Sequence, residues 1–379
     1  MHLRKLGILL ALFGFAGVFG TAHAEPWIAV KEGMKCAACH VNASGGGMRN
    51  AYGNTYAQMQ LAATSLAGSD SPRWNGSVNE FVAFGGNLRA NARQLDVPGQ
   101  ETQSAFELDE ARVYLQFSPV PGRVDIYFDQ RIAPGSSTNQ EAYARLWSSE
   151  RDWYLKAGRM YLPYGLRIED DAAFIRTVPG INFTTPDSGV ELGWESARWT
   201  AQFALSNGSA GGPETDNGKQ ASLRLEHVRA AWRMGASANI NDTDAGTRTM
   251  HNLFAGVRTG PVSWLGEVDF IVDDAAGTPD QRVALLEANW HVRRGHNLKF
   301  TTEFLEPDLD GIDIDEQYRH SIFWEYFPFE FTQVRMGVRR YDGDPGIAQL
   351  LASRDLFKRC TLPWMVTTAL RLSPLRSSH

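Results

Sequence analysis

The residues with the clearest chemistry in this chain are two cysteines and a histidine in the stretch Cys36-Ala37-Ala38-Cys39-His40. A C-x-x-C-H sequence is the attachment motif of a c-type haem. The two thiols bond the porphyrin covalently, and the adjacent imidazole supplies an axial nitrogen to the iron. The sequence therefore predicts one haem c, held by Cys36 and Cys39, with His40 as the proximal iron ligand.

Other chemistries are open to a C-x-x-C pair. Cys36 and Cys39 could form a disulfide or a thioredoxin-like redox pair, but a thioredoxin reading needs a βαβ context that these residues lack. Zinc would need further cysteine or histidine ligands at finger spacing, and none lie nearby in the sequence. Because His40 follows the second cysteine directly, we expect the haem, which leaves Cys360 unpaired.

The sixth ligand of the iron is less determined. Met48 and Met59 are the nearest downstream methionines, and Met34 is too close to the motif to reach the opposite face of the porphyrin. We expect Met48, and a methionine ligand would raise the potential relative to a second histidine. A methionine packed on the haem edge, an exchangeable water and a distant histidine remain open, the histidines being His227, His251, His291, His296 and His320.

The first 24 residues have the pattern of a secretory signal. Arg4 and Lys5 precede an uncharged apolar run from Leu6 to Phe19, and Ala22-His23-Ala24 has the small-x-small pattern of a cleavage site. The run is too short to span a bilayer comfortably. We therefore expect residues 1–24 to be a signal peptide and the mature chain to start at Glu25, in a compartment suited to haem attachment.

The composition limits the function classes. The 379 residues carry a net charge of −6, and this mildly acidic balance gives no case for nucleic-acid binding. Beyond the signal no apolar run approaches the length of a helical membrane span. The 36 glycines, with 11 tryptophans, 11 tyrosines and 20 phenylalanines, are typical of glycine-punctuated strands with aromatic girdles.

The pattern of the chain changes near residue 72. Residues 25–72 are glycine-rich and weakly helical, whereas from residue 73 onward apolar side chains alternate with polar ones, as in Val262, Trp264, Val268 and Phe270. Strands of about 10 residues separated by turn residues are the signature of a membrane barrel. We predict an all-β fold: an antiparallel outer-membrane β-barrel of about 16 strands over residues 73–379, preceded by a small c-type haem segment.

The end of the chain is atypical for such a barrel. Barrels usually close with an alternating strand that ends in an aromatic residue, whereas this chain ends in Ser-Ser-His, and Pro363 is poorly placed for a central strand. The sequence therefore leaves open how the last strand closes the barrel. A soluble β-sandwich would show the same alternation, but the export signal and the number of strands favour the membrane barrel.

Two segments resemble known families. The stretch from Lys156 to Arg167, with Pro163 and Gly165 at a strand end, resembles the strand that leads into a loop in phosphate-selective-type porins. The N-terminal stretch around Cys36 to Gly53 is similar to fused monohaem cytochrome–porins of the outer membrane, which include iron-oxidising cytochromes. That resemblance implies one haem segment that plugs a barrel of about 16 strands. The chain departs from the iron-oxidiser pattern directly after His40, so the resemblance does not imply the electron donor.

The resemblance implies electron transfer across the outer membrane, from an extracellular donor such as Fe(II) to a periplasmic cytochrome c; an Fe(II) oxidoreductase activity is left open. Lipid and the barrel-assembly machinery would be further partners. The alternative is a substrate-selective porin whose haem segment is accessory and periplasmic. A third reading, a soluble periplasmic β-protein with a haem tag, is the least favoured.

Overall fold

The computed structural model describes residues 25–68, 71–95, 101–181, 183–214, 216–275, 277–308 and 315–343, and the backbone of residues 364–370. Three short α-helices occur in the described part: α1 (Pro26–Glu32), α2 (Ala51–Tyr56) and α3 (Phe174–Thr177). Cys36–Ala38 forms a 3-10 turn and Ala57–Leu61 a π turn. No helix among these residues is both long and apolar enough to cross a membrane.

Strands make up most of the described chain. They are β1 (Val82–Leu95), β2 (Gln103–Val120), β3 (Val124–Ala133), β4 (Thr138–Trp147), β5 (Trp153–Met160), β6 (Asp187–Glu195), β7 (Trp199–Ser206), β8 (Gln220–Val228), β9 (Trp232–Thr243), β10 (Gly246–Thr259), β11 (Val262–Asp273), β12 (Asp280–Arg293), β13 (His296–Asp308), β14 (Gln317–Tyr326), β15 (Thr332–Asp342) and β16 (Trp364–Leu370). Each strand pairs antiparallel with its sequence neighbours, and β1 pairs with β16 to close the barrel. The prediction of an all-β barrel of about 16 strands is confirmed.

The two faces of each strand differ as the alternation predicts. On β11, Glu267 and Asp269 point into the barrel and are nearly inaccessible, whereas Trp264, Val268 and Phe270 point outward and are exposed. The same pattern recurs around the barrel, with apolar side chains outside and polar or charged ones inside. An outward face that is mainly apolar is the arrangement that a lipid environment requires of a closed barrel.

The two ends of the barrel have connections of different length. Even-numbered strands lead to the next strand through two to five residues, at what we call the short-turn end, and several connections at the opposite, long-loop end are far longer. Outward-facing tryptophans cluster near the short-turn end, namely Trp153, Trp199, Trp232, Trp264 and Trp290. Aromatic girdles of this kind lie at the lipid–water interface of membrane barrels.

The barrel closes through β16. Its register with β1 runs from Leu88–Leu370 to Arg93–Met365, and it pairs with β15 on its other edge. The strand begins at Trp364, directly after Pro363, which itself lies outside the described residues. A proline is tolerated just before a strand because it then removes no hydrogen bond from the ladder.

Two segments fill the interior. The N-terminal segment, residues 25–68, lies inside the barrel, and the inward loop, residues 161–186 between β5 and β6, folds into it rather than outward. Leu61 of the segment and Ile168 of the loop share one buried apolar cluster with Leu265 and Leu285 of the barrel wall. The barrel proper starts at Val82, about ten residues after the expected boundary at residue 72.

Candidate functional site

The predicted haem motif forms a tight turn inside the barrel. The backbone N–H groups of Cys39 and His40 both donate to the carbonyl of Cys36, each at 3.1 Å. This turn brings the two cysteine side chains and the imidazole to one side of the chain. Both cysteines are free thiols, so the disulfide that the sequence left open is not formed in this structure.

Asn50 holds this turn against α2. Its amide nitrogen donates to the carbonyls of Ala37 and Ala38, each at 3.1 Å, and its amide oxygen caps α2 by accepting from the N–H of Gly53 at 3.0 Å. A Cβ at Gly53 would stand 2.2 Å from the carbonyl oxygen of Cys39. Only glycine therefore allows α2 to pack this closely on the motif.

The three motif side chains line one cavity, whose empty space of about 620 Å³ includes a part that is open to solvent. Apolar walls come from α1 and the π turn, and cationic side chains border the cavity. The lining residues are Glu25, Pro26, Ile28, Ala29, Glu32, Met34, Lys35, Cys36, Cys39, His40, Ser44, Arg49, Gly53, Tyr56, Leu61 and Arg167.

These residues fit a covalently attached haem. Two thiols and an imidazole face the same cavity, and Ile28 and Leu61 supply apolar contacts for a porphyrin ring. Arg49 and Arg167 border it with the positive charge that the carboxylates of a porphyrin require. The fit rests on this donor set and on these lining residues.

Burial governs the protonation of the cavity walls. Burial raises the pKa of the Cys39 thiol to about 11, and nearby Arg49 offsets only part of this. Burial also acts to raise the pKa of Glu32, but hydrogen bonds from Tyr56 and Lys31 outweigh it and leave the pKa lowered. The Tyr56 hydroxyl donates to Glu32 at 2.6 Å, so α1 and α2 are joined across the cavity by a charged hydrogen bond.

The N-terminal segment is attached to strands all around the barrel. Asn42 donates to Glu141 of β4 at 2.7 Å, and Lys35 pairs with Glu195 of β6. Main-chain carbonyls of the segment accept from arginines of the wall, namely Val41 from Arg145, Lys31 from Arg258 and Ala62 from Arg294. Contacts on so many strands make the segment a plug of the lumen rather than an appended domain.

The start of α1 lies in a buried network of charges. Glu25 accepts from Lys299 of β13 at 2.6 Å and from Arg335 of β15 at 2.5 Å. Both cations also contact Glu325 of β14, at 3.0 and 2.8 Å, and Arg335 reaches Glu169 of the inward loop at 2.6 Å. The plug, the loop and three strands therefore share one network.

The linker after the plug is held at the short-turn end. Glu330, in the turn between β14 and β15, accepts from the Ser65 hydroxyl, from the Leu66 N–H at 2.9 Å and from Arg73 at 3.2 Å. Burial acts to raise the pKa of Glu330, but these hydrogen bonds outweigh it, so the pKa lies below its ordinary value.

The inward loop contributes one wall of the cavity. Arg167 donates to the carbonyl of Gly45 in the plug at 3.1 Å and to that of Leu162 at 2.7 Å. Gly165 adopts a left-handed conformation with φ 47°, and its Cβ would meet Glu267 of β11. The sequence marked Pro163 and Gly165 as a strand end, but it gave no signal that the following residues enter the lumen and border the haem motif.

The structure places the methionines differently from the sequence expectation. Met48, expected as the sixth ligand, is buried among Tyr114, Tyr127 and Tyr143 and is not among the lining residues of the cavity. Its N–H donates to the Tyr127 hydroxyl at 2.9 Å, which turns the side chain toward the barrel wall. Met34, which seemed too close to the motif, lines the cavity instead.

The five barrel histidines lie elsewhere. None is among the residues described as lining the cavity. His291 faces the lumen and contacts Trp27 of α1 in a tilted arrangement with ring centroids 4.6 Å apart, and His227 packs between Trp199 and Trp232. The other three, His251, His296 and His320, contact neighbouring strands or solvent.

Comparisons with known proteins identify the fold. No protein-family model and no curated protein matches the sequence. The structure is similar to a loop-deletion mutant of OmpT, an outer membrane protein of Vibrio cholerae (TM-score 0.59, 12% identity, 77% of this chain and 99% of that one). It is also similar to an anion-selective porin from Comamonas acidovorans (TM-score 0.60, 11% identity, 76% and 98%). OprB of Pseudomonas putida matches with a TM-score of 0.57 at 8% identity, over 77% and 94%. This chain therefore has the fold of an outer-membrane porin.

Proposed function

We propose that this protein is an outer-membrane electron-transfer protein with one haem c, covalently bound by Cys36 and Cys39 and ligated by His40, inside a porin-type barrel. An extracellular reduced donor, with Fe(II) as the first candidate, supplies electrons, and a periplasmic cytochrome c accepts them. The observation that carries the proposal is that both thiols and the imidazole line one cavity within the barrel.

The barrel supports an outer-membrane location. Large apolar side chains point outward around the barrel, and tryptophans mark the interface at the short-turn end. In bacterial barrels the short turns face the periplasm. The end of the plug bonds to the barrel at this end, through Ala62 and Arg294 and through Ala63 and Phe327.

The position of the plug explains why a barrel is needed. The apolar core of a bilayer is about 30 Å thick, too far for one small redox domain on either side to serve both. A haem c supplies one-electron exchange at its iron when it is bound. The plug holds the cavity inside the barrel wall. Arg167 of the inward loop also lines this cavity and donates to the carbonyl of Gly45 in the plug.

The second candidate is a substrate-selective porin with an accessory haem segment. The porin fold favours it, since the similar structures include an anion-selective porin. The interior favours electron transfer, because two inserted segments occupy the lumen where a porin needs a solute path. Met34 lines the cavity and Met48 does not, so Met34 is the methionine that we propose to test first as the sixth ligand.

Replacing both cysteines tests the haem assignment. The double variant Cys36→Ala/Cys39→Ala should fold as a heat-modifiable barrel but lose the haem band that survives denaturing electrophoresis. Met48→Leu is the matched control, since it changes a buried side chain of the same segment outside the cavity. A covalent haem band that persists in the double variant would show that the motif does not carry the cofactor.

Reconstituted vesicles separate the two functions. Vesicles that contain the protein and a trapped ferric cytochrome c are given Fe(II) or dithionite outside, and reduction of the trapped cytochrome is followed by absorbance. Electron transfer predicts reduction without entry of small sugars, measured by vesicle swelling. Rapid swelling with no reduction of the trapped cytochrome would support the porin instead.

A further inference from the structure

Arginines lie in or beside four successive turns at the short-turn end. Arg198 lies between β6 and β7, Arg229 between β8 and β9, and Arg294 between β12 and β13, while Arg258 and Arg293 lie at the ends of β10 and β12. All five are exposed. We call this set the arginine arc.

The arc lies next to the haem motif. An open cleft of about 1,660 Å³ separates the plug from the turns that carry Arg198 and Arg229. Its plug side is formed by Glu32, Gly33, Met34, Lys35, Ala37 and Ala38, and its barrel side by Ala197, Arg198, Val228, Arg229, Ala230, Ala231 and Trp232. The floor of the cleft is therefore the back of the turn that carries both cysteines.

The charges in and around the cleft do not cancel. Lys35 pairs with Glu195, and Lys31 pairs with Glu32 at 3.0 Å, so the acidic side chains of this region already have cationic partners in the described structure. Arg198 and Arg229 remain exposed at the mouth, and Arg229 donates to His227 rather than to a carboxylate. The mouth of the cleft therefore carries net positive charge.

The position of Arg198 and Arg229 along the barrel axis, relative to the membrane interface, favours an aqueous partner over lipid. Trp199 and Trp232 face outward directly after the turns that carry Arg198 and Arg229, and outward tryptophans mark the membrane interface. The two arginines lie at the turn tips and line the cleft, toward the barrel axis, instead of extending the outer face.

We propose that this cleft is the docking site of the periplasmic electron acceptor, a soluble c-type cytochrome with an acidic surface around its exposed haem edge. The inference rests on the proposed electron-transfer function and adds the surface and the charge of the partner to it. Positive charge at the mouth steers an acidic protein, and its redox edge then faces Ala37 and Ala38. One electron passes from the ferrous iron of this protein to the ferric iron of the partner, and no bond or proton is exchanged.

Charge reversal at the cleft tests the docking site through a measurement of binding affinity that does not depend on electron transfer. The double variant Arg198→Glu/Arg229→Glu and the wild type are purified in detergent with haem attached. Each is titrated with an acidic monohaem cytochrome c in its ferric state, with a basic cytochrome c as second probe. We expect affinity for the acidic probe to fall at least about tenfold at low ionic strength, and the difference to shrink as added salt screens the charges.

Arg151→Glu is the matched control. Arg151 is exposed in the turn between β4 and β5, at the same end of the barrel but away from the cleft, where it donates to the carbonyl of Gly122. The control should bind the acidic probe as the wild type does. Equal losses in control and double variant would indicate a general effect of surface charge or of bound anionic lipid and would overturn the docking site, as would unchanged binding in the double variant.

The outcome is distinguishable from failure of the proposed function. If covalent haem is absent from the wild-type protein, the proposed function fails, whatever the binding result. If haem is present and dithionite reduces it, but the cleft variant binds the acidic probe as the wild type does, the electron-transfer function stands and only the docking site is wrong.

Discussion

Replacing Lys299 by methionine should loosen the plug from the barrel. Lys299 contacts Glu25 at 2.6 Å and Glu325 at 3.0 Å, and its side chain is 8% exposed, whereas that of Glu25 is 2% exposed. Methionine keeps most of the length of the side chain but removes the charge. The variant therefore leaves two buried carboxylates with Arg335 as their shared remaining cation.

The expected cost follows from this burial. Removing one partner of a buried ion pair destabilises a protein by about 3–5 kcal/mol, against about 0–1 kcal/mol for an exposed pair. Burial already raises the pKa of Glu25, and Lys299 counteracts the shift. Without Lys299, Glu25 can take up a proton, which places the cost near the lower limit, about 3 kcal/mol. That corresponds to an increase of roughly a hundredfold in the local opening of α1.

Hydrogen exchange followed by mass spectrometry measures this opening directly. Exchange of the α1 amides should accelerate by about two orders of magnitude in Lys299→Met, while amides of the β11–β12 ladder keep their protection. Arg340→Met is the control, because Arg340 pairs with Asp342 at 2.8 Å with side chains 65% and 43% exposed. Acceleration below about threefold in Lys299→Met would refute the argument that this network anchors the plug.

Three further results are expected. Gly53→Ala should push the Cys39 carbonyl aside by about 1 Å and cost about 1–3 kcal/mol in the docking of α2, read from hydrogen exchange, whereas Gly266→Ala, whose Cβ would have ordinary contacts, should change little. Because the pKa of Glu330 is lowered in the folded protein, its stabilisation of the linker is present above its unfolded pKa of about 4.3 and is lost as the pH falls through the folded value. Glu330→Gln should abolish this acid-dependent rise in proteolysis of the linker; an unchanged pH profile would contradict the role of the carboxylate. Met34→Leu should shift the haem potential and the visible spectrum, whereas Met48→Leu should leave both unchanged and lower the free energy of unfolding by less than about 1.5 kcal/mol; the reverse pattern would restore Met48 as the ligand.

The barrel fold was predictable because the sequence pattern that specifies each strand is local and recurs along the chain. Each strand carries its own alternation, as Trp264 and Val268 do against Glu267 on β11, and each turn its own glycine or proline. Because the same pattern occurs in sixteen strands, an error in the prediction of one strand does not change the predicted fold. The grouping of Cys36, Cys39 and His40 around one cavity follows in the same way from their local spacing, whereas the haem itself stays a prediction.

The interior was not predictable in this way. The inward loop enters the lumen because its backbone finds partners on distant strands, as when Leu166 donates to Glu267 and Phe174 to Glu303. Nothing in the local sequence of the loop encodes those partners. The direction of Met48 likewise depends on Tyr127, a residue on the barrel wall 79 positions away.

The location of the two thiols also orders the events of biogenesis. They lie behind α1, within a wall that closes only when the last strand, β16, pairs with the first. If the proposed haem is attached at Cys36 and Cys39, a porphyrin offered to the finished barrel would have to pass α1, whose preceding residue Glu25 is held by Lys299 and Arg335, whereas an unfolded chain presents both cysteines freely. Attachment of the porphyrin before the barrel closes would avoid this barrier. Under the proposed function, the N-terminal segment would therefore take up its haem while the strands that later enclose it are still unpaired.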